Sequence, residues 1–233
     1  MTDLRLVEPD AVDGPSPTDG PFAAGTPLPR RLPPGRHGIP LQIVAEHQRL
    51  RLLGAMAEAL GEHGYANVTT THVSELANVS TSTFYKHFGN LWDCLLAAYV
   101  AAADRLCVTI EASCAQVGPD GPDADPLLTG IEAGLALFAA EPELARLLSA
   151  QAPREATALA AARRLLTSRL AAMLRRARGG KDDAPQPAGL DERLIDASLA
   201  FVGRRIATGD AASLPELAPE LAAILDRPRQ KAA

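Results

Sequence analysis

The sequence contains few aromatic side chains, 4% of its 233 residues, although hydrophobic residues together make up 47%. Alanine and leucine supply most of this hydrophobic fraction, and runs of β-branched residues are scarce. Alanine and leucine favour helices, whereas strands favour β-branched and aromatic residues. Since no strand pattern occurs either, the composition predicts an all-α protein of one or two domains with a sizeable core.

Long apolar runs are also absent, because no stretch reaches the roughly 18 consecutive apolar residues that indicate a membrane-spanning helix. The N-terminal sequence MTDLRLVEPDAVDGP contains acids and prolines where a secretory signal would have a basic end and an apolar run. We therefore expect a cytoplasmic protein without a membrane partner.

Cysteine is rare, and Cys94, Cys107 and Cys114 lack the spacing of a metal site. They are either small buried hydrophobic residues or a redox sensor. The chain also lacks a glycine-rich phosphate loop, paired histidines with metal spacing and a nucleophile elbow. These absences predict a protein that is not an enzyme and that uses neither a metal nor a cofactor.

Basic residues are too few for a wholly basic nucleic-acid-binding surface, since the formal net charge is −5, but this balance permits a local basic patch. Residues 1–40 hold nearly half of the nineteen prolines and little periodic apolar pattern, which predicts a disordered arm. The first part of this arm is acidic. Its end, PRRLPPGRHGIP, has no acid and carries Arg30, Arg31, Arg36 and His37.

A regular helical pattern begins after residue 40. Its first apolar stripe consists of Leu52, Leu53, Met56, Ala57 and Leu60. Gly64 is suited to end this helix, and Thr69 can then cap a short second helix. Asn78 lies where the chain must turn through a left-handed conformation, and Ser80 can cap a third helix of similar length.

Two short helices joined by such a turn form the layout of a helix-turn-helix, in which the second helix enters the major groove of DNA. Thr81 and Ser82 lie in the exposed first turn of that helix, where their hydroxyls suit base edges. Lys86 is its one formal cation. Phosphate oxygens are expected to bind Thr83, Tyr85 and His87. The apolar anchors of the helix are Val79, Phe84 and Phe88.

The same segment resembles the signature of the TetR family of transcriptional regulators over residues 49–99. The matching positions are Gly64-Tyr65, Thr69, Val73, Ala77, Val79-Ser80, Thr83-Phe84-Tyr85 and His87-Phe88. The resemblance implies an all-α homodimer with an N-terminal three-helix helix-turn-helix DNA-binding domain, followed by a helical ligand-binding and dimerisation domain. We expect these domains at residues 41–89 and 90–227, with a tail at 228–233. The DNA-binding candidates are Thr69, Thr70, Thr71, Ser80, Thr81, Ser82, Thr83, Tyr85, Lys86 and His87.

This candidate DNA-binding domain carries little positive charge, because Lys86 is the only lysine or arginine between residues 52 and 99. DNA-binding proteins obtain much of their affinity by neutralising phosphates. We therefore expect Arg49, Arg51 and the arginines of the arm, Arg36 among them, to supply most phosphate contacts. The arm either enters an adjacent minor groove or is an inert tail.

The second half predicts further helices at about 127–140, 142–151, 154–178 and 190–208, and a final helix that opens with a Ser213–Glu216 capping box. The segments GPDGPDADP and GGKDDAPQPAG predict loops. The helix at 190–208 is apolar on two sides, which suggests a second partner besides its own core. We expect a dimer interface at Leu194, Phe201, Val202, Leu217 and Leu221.

The few aromatic residues of the second half indicate that an effector pocket would be mostly aliphatic and would suit an apolar small molecule. Candidates for its lining are Tyr99, Glu132 and Phe138. Glu132 either points into such a pocket or is solvated at the helix surface.

The resemblance implies a DNA-binding transcriptional regulator, most often a repressor in this family, that a small-molecule ligand releases from a palindromic double-stranded operator. Two alternatives remain open. One is a DNA-binding regulator without a small-molecule effector, and the other is a helical interaction protein that has lost DNA binding. The low charge of the candidate DNA-binding domain is the reason for keeping the last alternative.

Overall fold

The computed structural model describes residues 41–117, 125–149, 157–178 and 189–226. Within these ranges the chain is helical and has no strand, so the predicted all-α class is confirmed. The helices are α1 (Leu41–Asn67), α2 (Thr70–Leu76), α3 (Thr81–His87), α4 (Leu91–Val117), α5 (Pro126–Ala140), α6 (Pro142–Ser149), α7 (Thr157–Ala177), α8 (Leu190–Ala207), a 3-10 helix (Leu214–Leu217) and α9 (Ala218–Leu225). The expected arm, the tail and most of the two expected loops lie outside the described residues. None of the described helices is long and apolar enough to cross a bilayer.

α1 buries the apolar stripe expected from its sequence, with Leu52, Met56 and Leu60 at most 5% exposed. Gly64 interrupts the helix, since its φ of 70° and ψ of 170° are not helical. Side chains make such a positive φ costly, which is why glycine suits this position. The chain therefore turns at Gly64 as predicted, and helical residues continue after the turn as far as Asn67.

The caps predicted for the two short helices are confirmed. Thr69 Oγ1 accepts a hydrogen bond from the His72 amide at 3.2 Å, and Ser80 Oγ accepts one from the Thr83 amide at 3.1 Å. Between the helices, Asn78 has a φ of 50°, the left-handed conformation that the turn requires. α2 and α3 therefore form the predicted helix-turn-helix.

α4 begins directly after this motif and packs against α1. Asn90 Oδ1 caps α4 by accepting a hydrogen bond from the Asp93 amide at 3.0 Å. One turn later, Cys94 is fully buried, and its Sγ donates to the Leu52 carbonyl of α1 at 3.8 Å. The start of α4 is therefore part of the same core as the first helix.

The rest of α4 packs against α5. Asp125 Oδ1 caps α5 by accepting hydrogen bonds from the amides of Leu127 and Leu128 at 3.0 and 3.1 Å. The two helices approach closely at Gly130, where a Cβ atom would lie 3.2 Å from Cys114 Sγ. Because Gly130 has no side chain, α5 packs closer to α4 than it could with a larger residue at this position.

α6 packs against both α1 and α8, so it connects the first helix with the last long one. Its contact with α8 is tight at Gly203, where a Cβ atom would lie 2.3 Å from Ser149 Oγ. The buried row of α8 consists of Ile195, Leu199, Val202 and Ile206. On its other apolar row, Leu194 and Phe201 are half-buried and Ala197 is exposed. Only the first of the two rows therefore belongs to the core of the chain.

The predicted capping box before the last helix is wrong. The Ser213 hydroxyl donates to the Asp210 carbonyl at 3.2 Å and to Asp210 Oδ1 at 2.5 Å, and it makes no cap bond. The carboxylate three residues earlier is a charged acceptor, so it holds the hydroxyl. A 3-10 helix follows, and Pro219 then lies in the first turn of α9, where a proline is tolerated.

The three cysteines have the character of core residues. Cys94 and Cys107 are buried, and Cys114 is half-buried. Burial raises the pKa of the Cys94 thiol to about 12 and that of the Cys107 thiol to about 11, and it raises the pKa of Cys114 as well. Because the thiolate is the reactive form, these surroundings favour the first of the two interpretations, small buried hydrophobic residues.

Candidate nucleic-acid interface and apolar cavity

α3 is held by one side and presents the other to solvent. Phe84 is fully buried, and Phe88 is 6% exposed. The exposed residues of α3 are Thr81, Ser82, Tyr85 and Lys86. The fold therefore gathers four of the predicted DNA-binding side chains on one solvent-exposed face of α3.

The remaining hydroxyl candidates divide into two groups. Ser80 and Thr69 are exposed, but their oxygens serve as helix caps, and Ser80 Oγ also lies 2.8 Å from Ser82 Oγ and 2.9 Å from Thr83 Oγ1. On α2, Thr71 is exposed and Thr70 is half-buried. The cap residues shape the first turns of both helices, and a contact with a phosphate would use their hydroxyl hydrogens, because phosphate oxygens only accept hydrogen bonds.

Arg49 adds a cation from α1 to the edge of α3. The guanidinium carbon of Arg49 lies 5.5 Å from the centroid of the Phe88 ring, a cation–π geometry. The neighbouring Gln48 Oε1 lies 3.4 Å from His87 Nε2. These contacts hold α1 against the end of α3, so Arg49 lies beside the polar face. Arg36, the other candidate cation of this site, lies outside the described residues.

Arg51 has a different role from the one expected of it. Its guanidinium donates to the carbonyl of Ala77 and, at 2.8 Å, to the carbonyl of Asn78. The last carbonyls of a helix have no partner within the helix, and a charged donor satisfies them strongly. Arg51 therefore caps the end of α2 and holds the turn of the motif, and its expected contribution to phosphate binding stays a prediction.

His87 lies at the same edge with its positive charge disfavoured. The pKa of His87 is lowered, mainly by burial. The positive charges of Arg49 and Lys86 lower it further, whereas the negative charge of Glu46 raises it. The lowered pKa favours the neutral form of His87, which can donate one hydrogen bond to a phosphate. This leaves Lys86 and Arg49 as the cations placed at the face in the described part of the chain.

An apolar cavity of about 130 Å³ lies among α4, α5, α7, α8 and α9. Its lining includes Leu106, Ile110 and Cys114 of α4, Gly130, Gly134 and Phe138 of α5, Leu170, Met173 and Leu174 of α7, Ile195, Ser198 and Val202 of α8, and Leu221 and Leu225 of α9. The three aromatic and acidic ligand candidates meet this cavity unequally. Phe138 lines it, whereas Tyr99 and Glu132 lie outside it.

Tyr99 and Glu132 are excluded from the cavity for different reasons. Glu132 is exposed, as the solvated alternative predicts. Tyr99 is 1% exposed but lies nearer to the first helix, in surroundings that include Tyr65 and Arg163. Burial raises the pKa of Tyr99 to about 12, against the opposing charge of Arg163. The prediction that Tyr99 and Glu132 line the effector pocket is therefore corrected for this cavity.

The expected dimer residues also divide. Val202 and Leu221 are 3% and 8% exposed and line the cavity, so they are corrected to core residues of the chain itself. Leu194, Phe201 and Leu217 are half-buried and retain surface for a partner. The sequence reasoning missed Leu165 of α7, which is 62% exposed. The adjacent pair Leu165-Leu166 gave no clear signal, because neighbouring leucines of a helix can both be buried, as Leu52 and Leu53 of α1 are.

Taken together, the helix-turn-helix with its exposed polar face and the helical second half define an all-α protein of the DNA-binding class. The family model for bacterial regulatory proteins of the tetR family matches residues 52–98, which contain the motif. Over these residues the chain is similar to the DNA-binding part of that family, in agreement with the resemblance of its sequence. No curated protein sequence matches the chain.

Solved structures share its fold at low sequence identity. The fatty acid degradation regulator FadR from Bacillus halodurans is 19% identical, with a TM-score of 0.62 over 76% of this chain and 94% of that one. FadR from Bacillus subtilis, solved in complex with stearoyl-CoA, is 18% identical, with a TM-score of 0.61 over 76% and 96% of the two chains. The regulator PfmR from Thermus thermophilus is 18% identical, with a TM-score of 0.54 over 79% and 98%.

Proposed function

We propose that this chain binds a palindromic operator as a homodimer, represses transcription there and is released when an apolar ligand occupies the cavity. The observation that carries this proposal is the course of α4. Its first half is buried against α1 of the DNA-binding half, and its second half lines the cavity through Leu106, Ile110 and Cys114. One helix therefore contacts both the DNA-binding half and the cavity, so it can couple ligand binding to DNA binding.

On the operator, α3 enters the major groove with its exposed face. Thr81 and Ser82 contact base edges, since hydroxyls donate and accept hydrogen bonds there. Phosphate contacts come from Thr83, Tyr85, Lys86 and His87, with Thr70 and Thr71 of α2 and Arg49 of α1 beside them. Two such helices on a two-fold dimer read half-sites about 34–36 Å apart, or a multiple of that distance.

The partner subunit packs on the outward row of α8. Leu194 and Phe201 of α8 and Leu217 before α9 keep exposed apolar surface. Leu165 extends this surface to α7, which packs against α8. A second copy of the chain would bury these side chains against their own symmetry mates.

The effector is an apolar molecule with at least one hydrocarbon part. The aliphatic lining of the cavity supports this chemistry, and FadR from Bacillus subtilis, a protein of similar fold, was solved in complex with stearoyl-CoA. A ligand shifts the equilibrium between two conformations only by its differential affinity for them. The ligand is therefore expected to fit best the conformation of α4 in which the two DNA-binding domains no longer match the operator.

A gel-shift titration with the promoter region of the chain's own gene tests the DNA-binding part of the proposal. We expect a shifted complex that weakens as salt rises and a protected palindrome in a footprint. The absence of both would favour the helical interaction protein that has lost DNA binding.

A thermal-shift screen against a panel of metabolites tests the effector. A bound ligand raises the apparent stability by mass action, and the same compound should then release the operator. A chain that binds its operator but responds to no apolar compound would favour the regulator without a small-molecule effector.

A further inference from the structure

The wall of the cavity selects against charged and hydrogen-bonding groups. Within the described part of the chain, none of its lining side chains is charged. Its two polar side chains are engaged with backbone carbonyls, because Ser198 Oγ donates to Leu194 O at 2.9 Å and Cys114 Sγ donates to Pro126 O at 3.4 Å. A charged ligand group placed here would lose its hydration and gain little in return.

The volume of the cavity limits what fits. Its volume is about 130 Å³. A cavity of roughly 150 Å³ that was engineered in another protein, with a lining of leucine, isoleucine and phenylalanine, stays dry and binds benzene. The wall described above is of the same chemical kind. A group of about that size would therefore fill the space, whereas a whole stearoyl chain would not fit without rearrangement.

We infer that the cavity takes an uncharged hydrocarbon group of about the size of benzene. This group is either a free small aromatic or branched hydrocarbon or the apolar end of a longer molecule. The inference rests on the proposed function only in treating the cavity as the effector site, because ligand binding itself is measured without DNA.

The half-buried part of the wall indicates where the rest of a longer molecule would leave. Ile110 and Cys114 lie near the end of α4, Pro126 at the start of α5, and Met173 and Ala177 near the end of α7. Arg178 follows directly, but its guanidinium donates to Asp191 Oδ1 at 2.9 Å and to the Leu225 carbonyl. This arginine is therefore committed to the fold.

Gly134 offers a direct way to change the size of the cavity. A Cβ atom at this position would lie 3.6 Å from both Ile110 Cδ1 and Leu106 Cδ1, an ordinary contact, so Gly134→Ala is tolerated and narrows the space slightly. Gly134→Leu adds a whole side chain to the wall. Glu132→Gln is the matched control on the same helix, because Glu132 is exposed and lies outside the cavity.

Calorimetric titration of the full-length chain with toluene and with benzoate tests the inference, since the two molecules share a ring and differ in charge. We expect toluene to bind and to raise Tm, and benzoate to bind about tenfold more weakly or worse because its carboxylate is desolvated. Gly134→Leu should reduce the toluene affinity about tenfold, Gly134→Ala should reduce it less, and Glu132→Gln should leave it unchanged. Benzoate binding as tight as toluene binding, no toluene binding at all, or toluene affinity unchanged by Gly134→Leu would overturn the inference.

Competition with stearoyl-CoA distinguishes the two sources of the hydrocarbon group. If stearoyl-CoA binds and toluene displaces it, the group is the end of a longer molecule, and if toluene binds alone, the group is a small free hydrocarbon. Stearoyl-CoA that binds without competing would place its site elsewhere and count against the inference. Failure of the chain to bind its operator would remove the proposed function and leave the toluene result as it is.

Discussion

At the scale of single residues, two arginines of α1 have different tasks although they stand two positions apart. Arg51 donates to the carbonyls of Ala77 and Asn78, which lie 26 and 27 residues further along the chain. Arg49 lies against the ring of Phe88 at the edge of the polar face of α3. The first residue therefore stabilises the motif, and the second is the residue that we propose to contact a phosphate.

Arg51→Met should destabilise the protein, because it leaves two carbonyls at the end of α2 without a charged donor. We expect a loss of about 1.5–3 kcal/mol in the free energy of unfolding, measured by urea denaturation. Arg49→Met is the matched control and should cost less than about 1 kcal/mol. In DNA titrations, Arg49→Met should weaken operator binding and reduce the salt slope by about 0.9 for each phosphate that is no longer neutralised. Equal losses of stability for the two variants would contradict this division of tasks.

Protonation of His47 of α1 and His87 of α3 should destabilise the protein at low pH. Burial is the main cause that lowers the pKa of His87 and of His47, with Arg49 and Arg51 respectively as the next causes. A histidine with a lowered folded-state pKa contributes stability that is present above its ordinary value of 6.5 and lost as pH falls through the folded-state pKa. The urea concentration at the unfolding midpoint should therefore decrease as the pH is lowered from about 7 to about 5. In the His47→Gln, His87→Gln double variant this midpoint should decrease less. If the urea midpoints of wild type and double variant differ by the same amount at every pH in this range, the two histidines do not cause the loss of stability.

At the scale of elements, α6 determines how closely the first helix and α8 are connected. It is a short helix that packs against both, and at Gly203 the space between α6 and α8 is smaller than a methyl group requires. Because a Cβ atom at Gly203 would meet both the Oγ and the Cβ of Ser149, rotation of the serine hydroxyl alone does not relieve the overlap. The connection therefore depends on the absence of a side chain at one position.

Gly203→Ala should cost about 1–3 kcal/mol of stability because it forces α6 away from α8. Ser149→Gly in the same chain should recover much of that loss, since it removes the atoms that collide. Gly54→Ala in α1 is the control, because nothing lies within 4 Å of its Cβ position, and it should stabilise the helix by up to about 1 kcal/mol. The four stabilities of the double-mutant cycle, measured by urea denaturation, check the contact. Additive effects of the two substitutions would show that the residues do not meet.

At the scale of the whole molecule, exposed apolar side chains provide a test of the proposed dimer. Leu165 is 62% exposed on α7, and the outward row of α8 includes Phe201. Val108 of α4 is exposed to nearly the same degree, 60%, but lies on another helix. Leu165 and Val108 therefore provide a matched pair for a test of the proposed dimer.

Leu165→Glu should weaken self-association, because it places a charge in an interface that would bury an apolar side chain. Sedimentation velocity over a range of concentrations should show a shift from dimer toward monomer. Val108→Glu should sediment as the wild type does. The same dimer fraction in both variants would remove Leu165 from the interface.

Removal of residues 1–40 should weaken operator binding if the arm enters the minor groove. The described part of the chain places few cations at the proposed DNA-binding face, so the arginines of the arm would account for a large share of the released counterions. We expect the slope of log K against log salt to become shallower by about 0.9 for each phosphate that the arm had neutralised. Binding titrations of the full-length and shortened chains at several salt concentrations measure this slope. An unchanged slope would identify the arm as an inert tail.

Local sequence patterns were enough to predict the features that depend on near neighbours along the chain. The caps at Thr69 and Ser80, the left-handed Asn78 and the turn at Gly64 were predictable because each conformation is set by a few adjacent residues. The helical class and the resemblance to the TetR family rest on the same local patterns of residue type and spacing.

Contacts between residues far apart in the sequence became visible only in the folded chain. Periodicity gave α8 two apolar rows, but it assigned Val202 to the dimer interface, and the folded chain buries Val202 in its own core. Likewise, nothing near Arg51 in the sequence indicates the carbonyls of Ala77 and Asn78. The cavity and the exclusion of Tyr99 from it depend on how five helices pack. The physical reason is that helix periodicity records which side of a helix is apolar, whereas the packing of the whole chain decides what covers that side.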